Sequence, residues 1–307
     1  MVTVPTPSRS LAFAQLVRLP NVFTAFADVL LGASATGLVT ADPVAVLLLC
    51  LASAGLYLGG MAWNDYFDRH DDAKVRPFRP VPSGRVSPRA AGLVAAGLSA
   101  VGLLAALAAT VWHPPPDGVV PPVAVAALLS GLIVLYDAVL KHTPAGPWAM
   151  GACRALNVCL GLSATGVLSA ELTLHLALAV GVYIAGVTLF ARTEEGTSRR
   201  RPLVIAAGVM AASAVGTALL PIHDPAALGF RPYPYLVAAW AAWVGTSVAR
   251  ALKEPGPKEV QAAVKRCIFG LVPLDALLAT AFVGWPGLVI LVLFLPARWL
   301  GRRVYST

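Results

Sequence analysis

Asn64, Asp65, Asp68 and Asp72 stand at i, i+1, i+4 and i+8 in the run N-D-Y-F-D-R-H-D-D. On a continuous helix the three aspartates would be successive neighbours on one face, about 5–6 Å apart at their side-chain bases. Like charges so close repel, and a bound cation is the natural compensation. Carboxylate oxygens are hard ligands that suit Mg²⁺, which takes one or two of them together with phosphate oxygens and water. Lys74, Arg76 and Arg79 follow within the same segment, which closes on R-P-V-P-S-G, and Arg85 comes directly after it. Such cations grip phosphate through charge-assisted hydrogen bonds. Acids for a metal beside bases for phosphate define a diphosphate-handling segment. A solvated, charge-balanced loop is the plain alternative, and this spacing argues against it.

The elements that must carry this segment are membrane helices. The 307 residues are 58% hydrophobic and only 12% charged, against about 25% charged in ordinary soluble domains. Apolar spans run approximately over 20–40, 44–63, 89–112, 121–140, 148–169, 172–190, 202–221, 234–252 and 264–282. Most approach the roughly 20 residues that cross a bilayer as a helix. A shorter run, 286–299, follows, so the last helix is expected either broken or followed by a short tenth. The expected fold is therefore all-α, a polytopic membrane bundle of about nine transmembrane helices. Residues 1–307 read as a single integral membrane domain, with 1–18 as a cytoplasmic N-terminal segment and 300–307 as a short basic tail. The first ten residues contain Pro and Arg and do not resemble a cleaved signal, so the first span reads as retained. Cys50, Cys153, Cys159 and Cys267 lack C-x-x-C spacing and read as small buried hydrophobes.

The net charge of +8 does not indicate nucleic acid. Of the 23 Lys and Arg, 18 fall in the N-terminal segment and in the loops after spans two, four, six and eight. The loops after the odd-numbered spans carry only Arg231. That asymmetry predicts a cytoplasmic face for the acidic segment, with the lipid bilayer as the surrounding partner.

Ionisable groups inside the spans each cost a few kcal/mol unless paired or wetted. Asp28, Asp137, Arg154, His175 and Asp275 are the candidates. Arg154 and Asn157 share a helix face at i, i+3, and Asn21, Asp28, Arg154 and Asn157 are expected in a cavity wall. Asp137 and Lys141 share a face at i, i+4, where a simple surface pair is equally compatible. His175 and Asp275 are expected to be structural or interfacial.

The run N-D-Y-F-D-R-H-D-D resembles the first aspartate-rich motif of UbiA-family prenyltransferases, N-D-x-x-D-x-x-x-D, and R-P-V-P-S-G resembles the segment after it. R-L-P-N at Arg18–Asn21 and Y-D-A-V-L-K at Tyr136–Lys141 extend the similarity. The resemblance implies a helical bundle that ionises a prenyl diphosphate with Mg²⁺ and alkylates a small, cyclic acceptor. It implies metal-binding and catalytic roles for Asp65, Asp68 and Asp72, with Asn64 beside them. Lys74, Arg76, Arg79, Lys141 and Arg154 become diphosphate ligands, and Tyr136 joins the cavity wall. The chain departs from the family at the second motif, where D-x-x-x-D is replaced by Thr193-Glu194-Glu195-Gly196-Thr197. Glu194 and Glu195 are the residues there with oxygens for a metal. The departure keeps two other readings open: a membrane terpene cyclase or related diphosphate-ionising enzyme, and a non-catalytic lipid-binding protein on the same scaffold.

Overall fold

The structure, a computed structural model, describes residues 9–192, 200–223 and 229–304. The chain opens with α1 (Arg9–Leu16), a single 3₁₀ turn and α2 (Val22–Ala35), and then the short α3 (Leu38–Ala41). Next come α4 (Pro43–Phe67), α5 (Arg69–Val75), α6 (Pro88–Trp112), α7 (Pro122–Ala138), α8 (Gly146–Leu162) and α9 (Ala170–Ala191). The last part comprises α10 (Arg200–His223), α11 (Tyr233–Lys253), α12 (Pro257–Phe269) and α13 (Leu271–Val283), then a 3₁₀ stretch over Trp285–Leu293 and α14 (Phe294–Gly301). There is no strand among the described residues.

Local sequence sets the helix starts. Asp42 caps α4 by accepting a hydrogen bond from the Ala45 amide at 3.0 Å, with Pro43 as the first helical residue. Ser87 before Pro88 does the same for α6, and Ser169 for α9. Each cap occupies one of the amides that a helix start leaves without a partner.

Among the described residues, five helical segments are long and apolar enough to cross a bilayer: α4, α6, α9, α10 and the α12–α13 run. The α1–α2 pair, bent by 44°, adds a sixth if it crosses as one broken span. The apolar helix α7 and the stretch 285–301 are shorter. Helix length and composition therefore do not establish the expected nine crossings. The fifth predicted span ends at Leu162 rather than 169, because a run of Ser163, Ala164, Thr165 and Gly166 breaks it. The final apolar run is broken, its first half being 3₁₀.

Helix α6 explains why the surrounding medium must be apolar. Only 28% of its most apolar window is buried within the protein, and Leu93 and Leu104 are 74% and 64% exposed. A face of that kind is stable against lipid and would be a liability in water. The chain is accordingly a multi-pass membrane protein.

Lipid tails give helices no hydrophobic reason to associate, so close packing supplies the contact. A Cβ on Gly55 would lie 2.6 Å from the Gly102 backbone nitrogen, where α4 crosses α6. Gly32 on α2 meets Gly161 on α8 equally closely. Helix α2 sits centrally, with Val29 and Ala33 in the core shared by α4, α6, α7 and α8, and Ala27 and Leu31 in the core shared by α9 to α13. That position gives one short helix contact with both halves of the bundle.

Candidate functional site

The acidic segment lies where α4 ends. Asp68 is both the last cap of α4 and the residue before α5, so the helix is interrupted between Asp65 and Asp72. The three aspartates are thus not successive on one continuous helix, as the spacing alone suggests. They are gathered by basic side chains instead. Arg79 Nη1 donates to Asp72 Oδ2 at 2.6 Å and lies 3.6 Å from Asp65 Oδ1. Lys141 Nζ sits 2.6 Å from Asp68 Oδ1, a Coulombic contact without hydrogen-bond alignment, and 4.0 Å from Asp137 Oδ1. Asn64 joins the two sides by donating from Nδ2 to Asp137 Oδ1 at 3.0 Å. Asp65 and Asp72 are buried, whereas the Asp71 side chain is 71% exposed.

Arg18 has no site role in the sequence reading beyond its place in the R-L-P-N run. Its guanidinium donates to Asn64 Oδ1 at 3.0 Å and Asp65 Oδ1 at 3.3 Å. Arg18 is also the one non-glycine residue with positive φ among the described residues, at 47°. Such a conformation costs on the order of 1–3 kcal/mol and persists where surrounding contacts over-determine it. Here the break between α1 and the 3₁₀ turn aims the arginine at the end of α4.

The loop after α5 is folded rather than extended. The Arg79 carbonyl accepts from Ser83 Oγ at 2.6 Å, Gly84 turns with φ 75°, and Val81 and Val86 bury against α1 and α6. This holds Arg79 over the acids. Burial and the neighbouring Arg18 lower the Arg79 pKa from its ordinary value, and Asp65 and Asp72 oppose that shift. Arg85 donates to Gln15 Oε1 and to the Phe78 carbonyl, both at 2.6 Å, so it ties the loop down and does not face the acids. Lys74 corrects another expectation. It is 78% exposed and pairs at 3.7 Å with Asp71 on the outer side of α5, because these i, i+3 residues share the solvent face. Arg76 lies between, half-buried and near enough to Arg79 to depress it electrostatically.

A cavity of about 320 Å³ runs inward from this mouth. Arg18, Asn21, Tyr57, Asn64, Asp137 and Arg154 give it polar contacts, and Tyr136 and Asn157 also line it. Apolar residues of α7, α9, α12 and α13, among them Ile133, Ile184 and Leu271, form the remaining wall. Arg154 is not at the mouth with the diphosphate-type cations. Its Nη1 donates to Asp28 Oδ2 at 3.0 Å, its Nη2 to Thr24 Oγ1 at 2.8 Å, and its guanidinium lies 5.1 Å from the Tyr57 ring centre. Asn157 donates to the same Asp28 oxygen at 2.8 Å and accepts from Ser53 Oγ at 2.8 Å. Asp28 itself is fully buried behind the wall. Ser53, Tyr57, Met61 and Asn64 all face this space at helical spacing along α4, a periodic signal that the sequence carries and that its acidic motif overshadows. His175 bridges to the Gly216 carbonyl at 2.8 Å, a structural tie between α9 and α10.

Glu194 and Glu195 lie outside the described residues. The residue before their segment, Arg192, donates to the carbonyls of Lys141 and Thr143 at 2.8 and 2.5 Å. The second loop therefore starts beside the lysine that contacts Asp68.

No three acidic, histidine or cysteine side chains form a ready metal cage among the described residues. Mg²⁺ does not need one, since substrate phosphates and water complete its shell. The donor set of Asp65, Asp68 and Asp72 is carboxylate oxygen alone, which fits that ion and not a soft metal.

Residues 22–271 match the model of the UbiA prenyltransferase family. A digeranylgeranylglyceryl phosphate synthase from Methanopyrus kandleri is 39% identical over 133 residues, covering 43% of this chain and 45% of that protein. The chain thus aligns with less than half the length of that relative. The synthase of the same name from Halobacterium salinarum is 34% identical over 243 residues, covering 75% of this chain and 79% of that protein. A UbiA homologue from Archaeoglobus fulgidus superposes with a TM-score of 0.63 at 13% identity, over 92% of this chain and 99% of that one. Its form bound to DMAPP and Mg²⁺ superposes at 0.53 and 12% identity, over 91% and 99%. With the family model spanning most of the sequence and the bundle reproducing the fold, the chain belongs to the UbiA prenyltransferase family.

Proposed function

We propose that the protein transfers a prenyl group from a prenyl diphosphate to a small acceptor, using Mg²⁺ at the acidic mouth of the cavity. The observation that carries this reading is the convergence of Arg18, Arg79 and Lys141 on Asp65, Asp72 and Asp68 at the entrance to a largely apolar cavity. Bound between Asp65, Asp68 and Asp72, Mg²⁺ would supply charge neutralisation for the departing diphosphate. Arg18, Arg79 and Lys141, which balance these acids, would be the cations at hand for diphosphate oxygens. Preorganised charge of this kind often contributes most to catalysis.

Asn64 orients the set, because it receives from Arg18 and donates to Asp137. The apolar wall takes the prenyl chain, and the rings of Tyr57 and Tyr136 offer π faces to an allylic cation. Exclusion of water by that wall favours capture by the acceptor over hydrolysis. Glu194 and Glu195 of the second loop carry oxygens that would add to the metal's shell. The 18 basic residues that share the first loop's side support a cytoplasmic active face.

Purified full-length protein should release diphosphate from a panel of prenyl diphosphates only with Mg²⁺, and release should accelerate with a suitable acceptor. Mass spectrometry of the lipid products identifies the adduct. Cyclised hydrocarbon formed without any acceptor would point to a terpene cyclase instead, and no release with any donor would exclude both.

A further inference from the structure

A second cavity, an open groove, lies between α11, α13 and the 3₁₀ stretch that leads into α14. It measures about 320 Å³. Its lining, which includes Leu236, Trp240, Trp243, Leu277, Leu291 and Phe294, is entirely apolar or aromatic. None of these residues lines the cavity at the acidic mouth. Trp240 is buried and fixed, with Nε1 donating to the Gly270 carbonyl at 2.8 Å. Trp243 stands at the rim, 41% exposed.

All three walls turn basic at one end. Along α11, Leu236, Trp240 and Trp243 are followed on the same helix stripe by the exposed Arg250. The α12–α13 run reads Leu277, Pro273 and Arg266 toward that end, and the last wall reads Leu291, Phe294 and Arg298. Arg266 marks the junction. Its guanidinium lies 5.7 Å from the Trp243 ring centre, and Nη1 makes two long contacts, 3.5 Å to the Trp243 carbonyl and 3.4 Å to Thr246 Oγ1. Nε and Nη2 donate to no described residue, so most of the five N–H groups of that fork stay available. The Phe269 and Phe294 ring centres are 6.3 Å apart, and Arg266 and Arg298 each stand about one helical turn beyond that contact.

We propose that this groove binds one anionic phospholipid of the surrounding bilayer, a tail lying along the tryptophans and leucines and the phosphate held at Arg266 between Arg250 and Arg298. The site stands independently of the prenyl-transfer reading. An apolar groove on a membrane span meets lipid tails, and a guanidinium fork matches phosphate oxygens. Basic pockets between membrane helices hold anionic headgroups in the same way. A second copy of the chain fits less well, because a two-fold contact would set the same arginines against one another. A prenyl diphosphate would need carboxylates for its Mg²⁺, and the lining has none. The groove also backs onto the first cavity: Trp240 bonds Gly270, and the next residue, Leu271, lines the cavity at the acidic mouth. Lipid in the groove therefore braces that wall.

Native mass spectrometry of the delipidated full-length protein tests the site, with dioleoyl phosphatidylglycerol and dioleoyl phosphatidylcholine as probes. One phosphatidylglycerol should be retained about tenfold more tightly than phosphatidylcholine and should raise the melting temperature. Arg266→Gln should abolish that preference. Arg89→Gln, an exposed arginine at the start of α6, should keep it. Leu291→Trp, which fills the groove, should weaken retention of both lipids. A second measurement needs no variant: phosphatidylglycerol with brominated tails should quench tryptophan emission more than brominated phosphatidylcholine at equal concentration, since Trp240 and Trp243 line the groove. Equal retention or equal quenching by the two lipids in the wild type overturns the proposal. So does a preference that survives Arg266→Gln or falls equally in Arg89→Gln. A lipid-free dimer would assign the groove to a second copy, and displacement of phosphatidylglycerol by geranylgeranyl diphosphate without Mg²⁺ would assign it to substrate; either result overturns the phospholipid site.

Discussion

Lys141 reaches Asp68 across the cavity mouth, 2.6 Å from Nζ to Oδ1, from the turn that follows α7 to the end of α4. The Lys141 side chain is only 8% exposed, so this is a buried pair and not surface decoration. It fixes Asp68 on the cavity side, while Asp71, three residues on, is left outside with Lys74.

That difference predicts unequal roles for two neighbouring aspartates. Asp68→Asn removes a charge that balances both Lys141 and the proposed Mg²⁺. Diphosphate release should fall by about one to three orders of magnitude, or roughly 1.4 to 4 kcal/mol in barrier. Asp71→Asn should stay near wild type. The two are compared in one detergent across a magnesium series, and equal activities would sink the assignment.

Arg79 balances Asp65 and Asp72 in the absence of metal. Arg79→Met leaves Asp72 without its cation and Asp65 with Arg18 alone, and removing one side of a buried pair costs about 3–5 kcal/mol. The melting temperature should drop in metal-free buffer. Added Mg²⁺ should recover part of the loss, raising the melting temperature more in the variant than in the wild type. An equal magnesium response in both proteins argues that the ion binds elsewhere.

The loop carrying Asp68 and the loop carrying Glu194 should open on the same, cytoplasmic side. Single cysteines introduced beside each, in a background with Cys50, Cys153, Cys159 and Cys267 replaced, should be labelled together by an impermeant reagent in inverted vesicles. Labelling from opposite sides would refute the shared face.

Close packing of α4 on α6 predicts a steric asymmetry between glycines. Gly55→Val places a side chain against the Gly102 backbone and should destabilise by about 1–3 kcal/mol through overpacking. Gly97, also on α6, faces open space, with no neighbouring atom within 4 Å of where a Cβ would stand. Gly97→Val should therefore change the melting temperature little. Parallel thermal unfolding in detergent reads the difference directly.

The sequence alone determined the membrane bundle, its charge sidedness and the acidic segment after the second span. These are one-dimensional properties, because lipid exposure needs long apolar runs and Asp65, Asp68 and Asp72 fall close together in the chain. It also pointed to Asn21, Asp28, Arg154 and Asn157 as one polar set, since a polar group in an apolar helix must face something polar; Asn21, Arg154 and Asn157 line the cavity and Asp28 lies buried behind it. Tertiary structure decided which charges meet. Arg18 is 46 residues from Asn64, Lys141 lies in another loop from Asp68, and Arg154 meets Asp28 across 126 residues. Helical spacing cannot report such partners, because their proximity depends on how α2, α4, α7 and α8 cross. The same crossings moved Arg154 away from the diphosphate mouth and turned Lys74 outward, for a side chain's role follows the neighbours that packing supplies and not its distance along the chain.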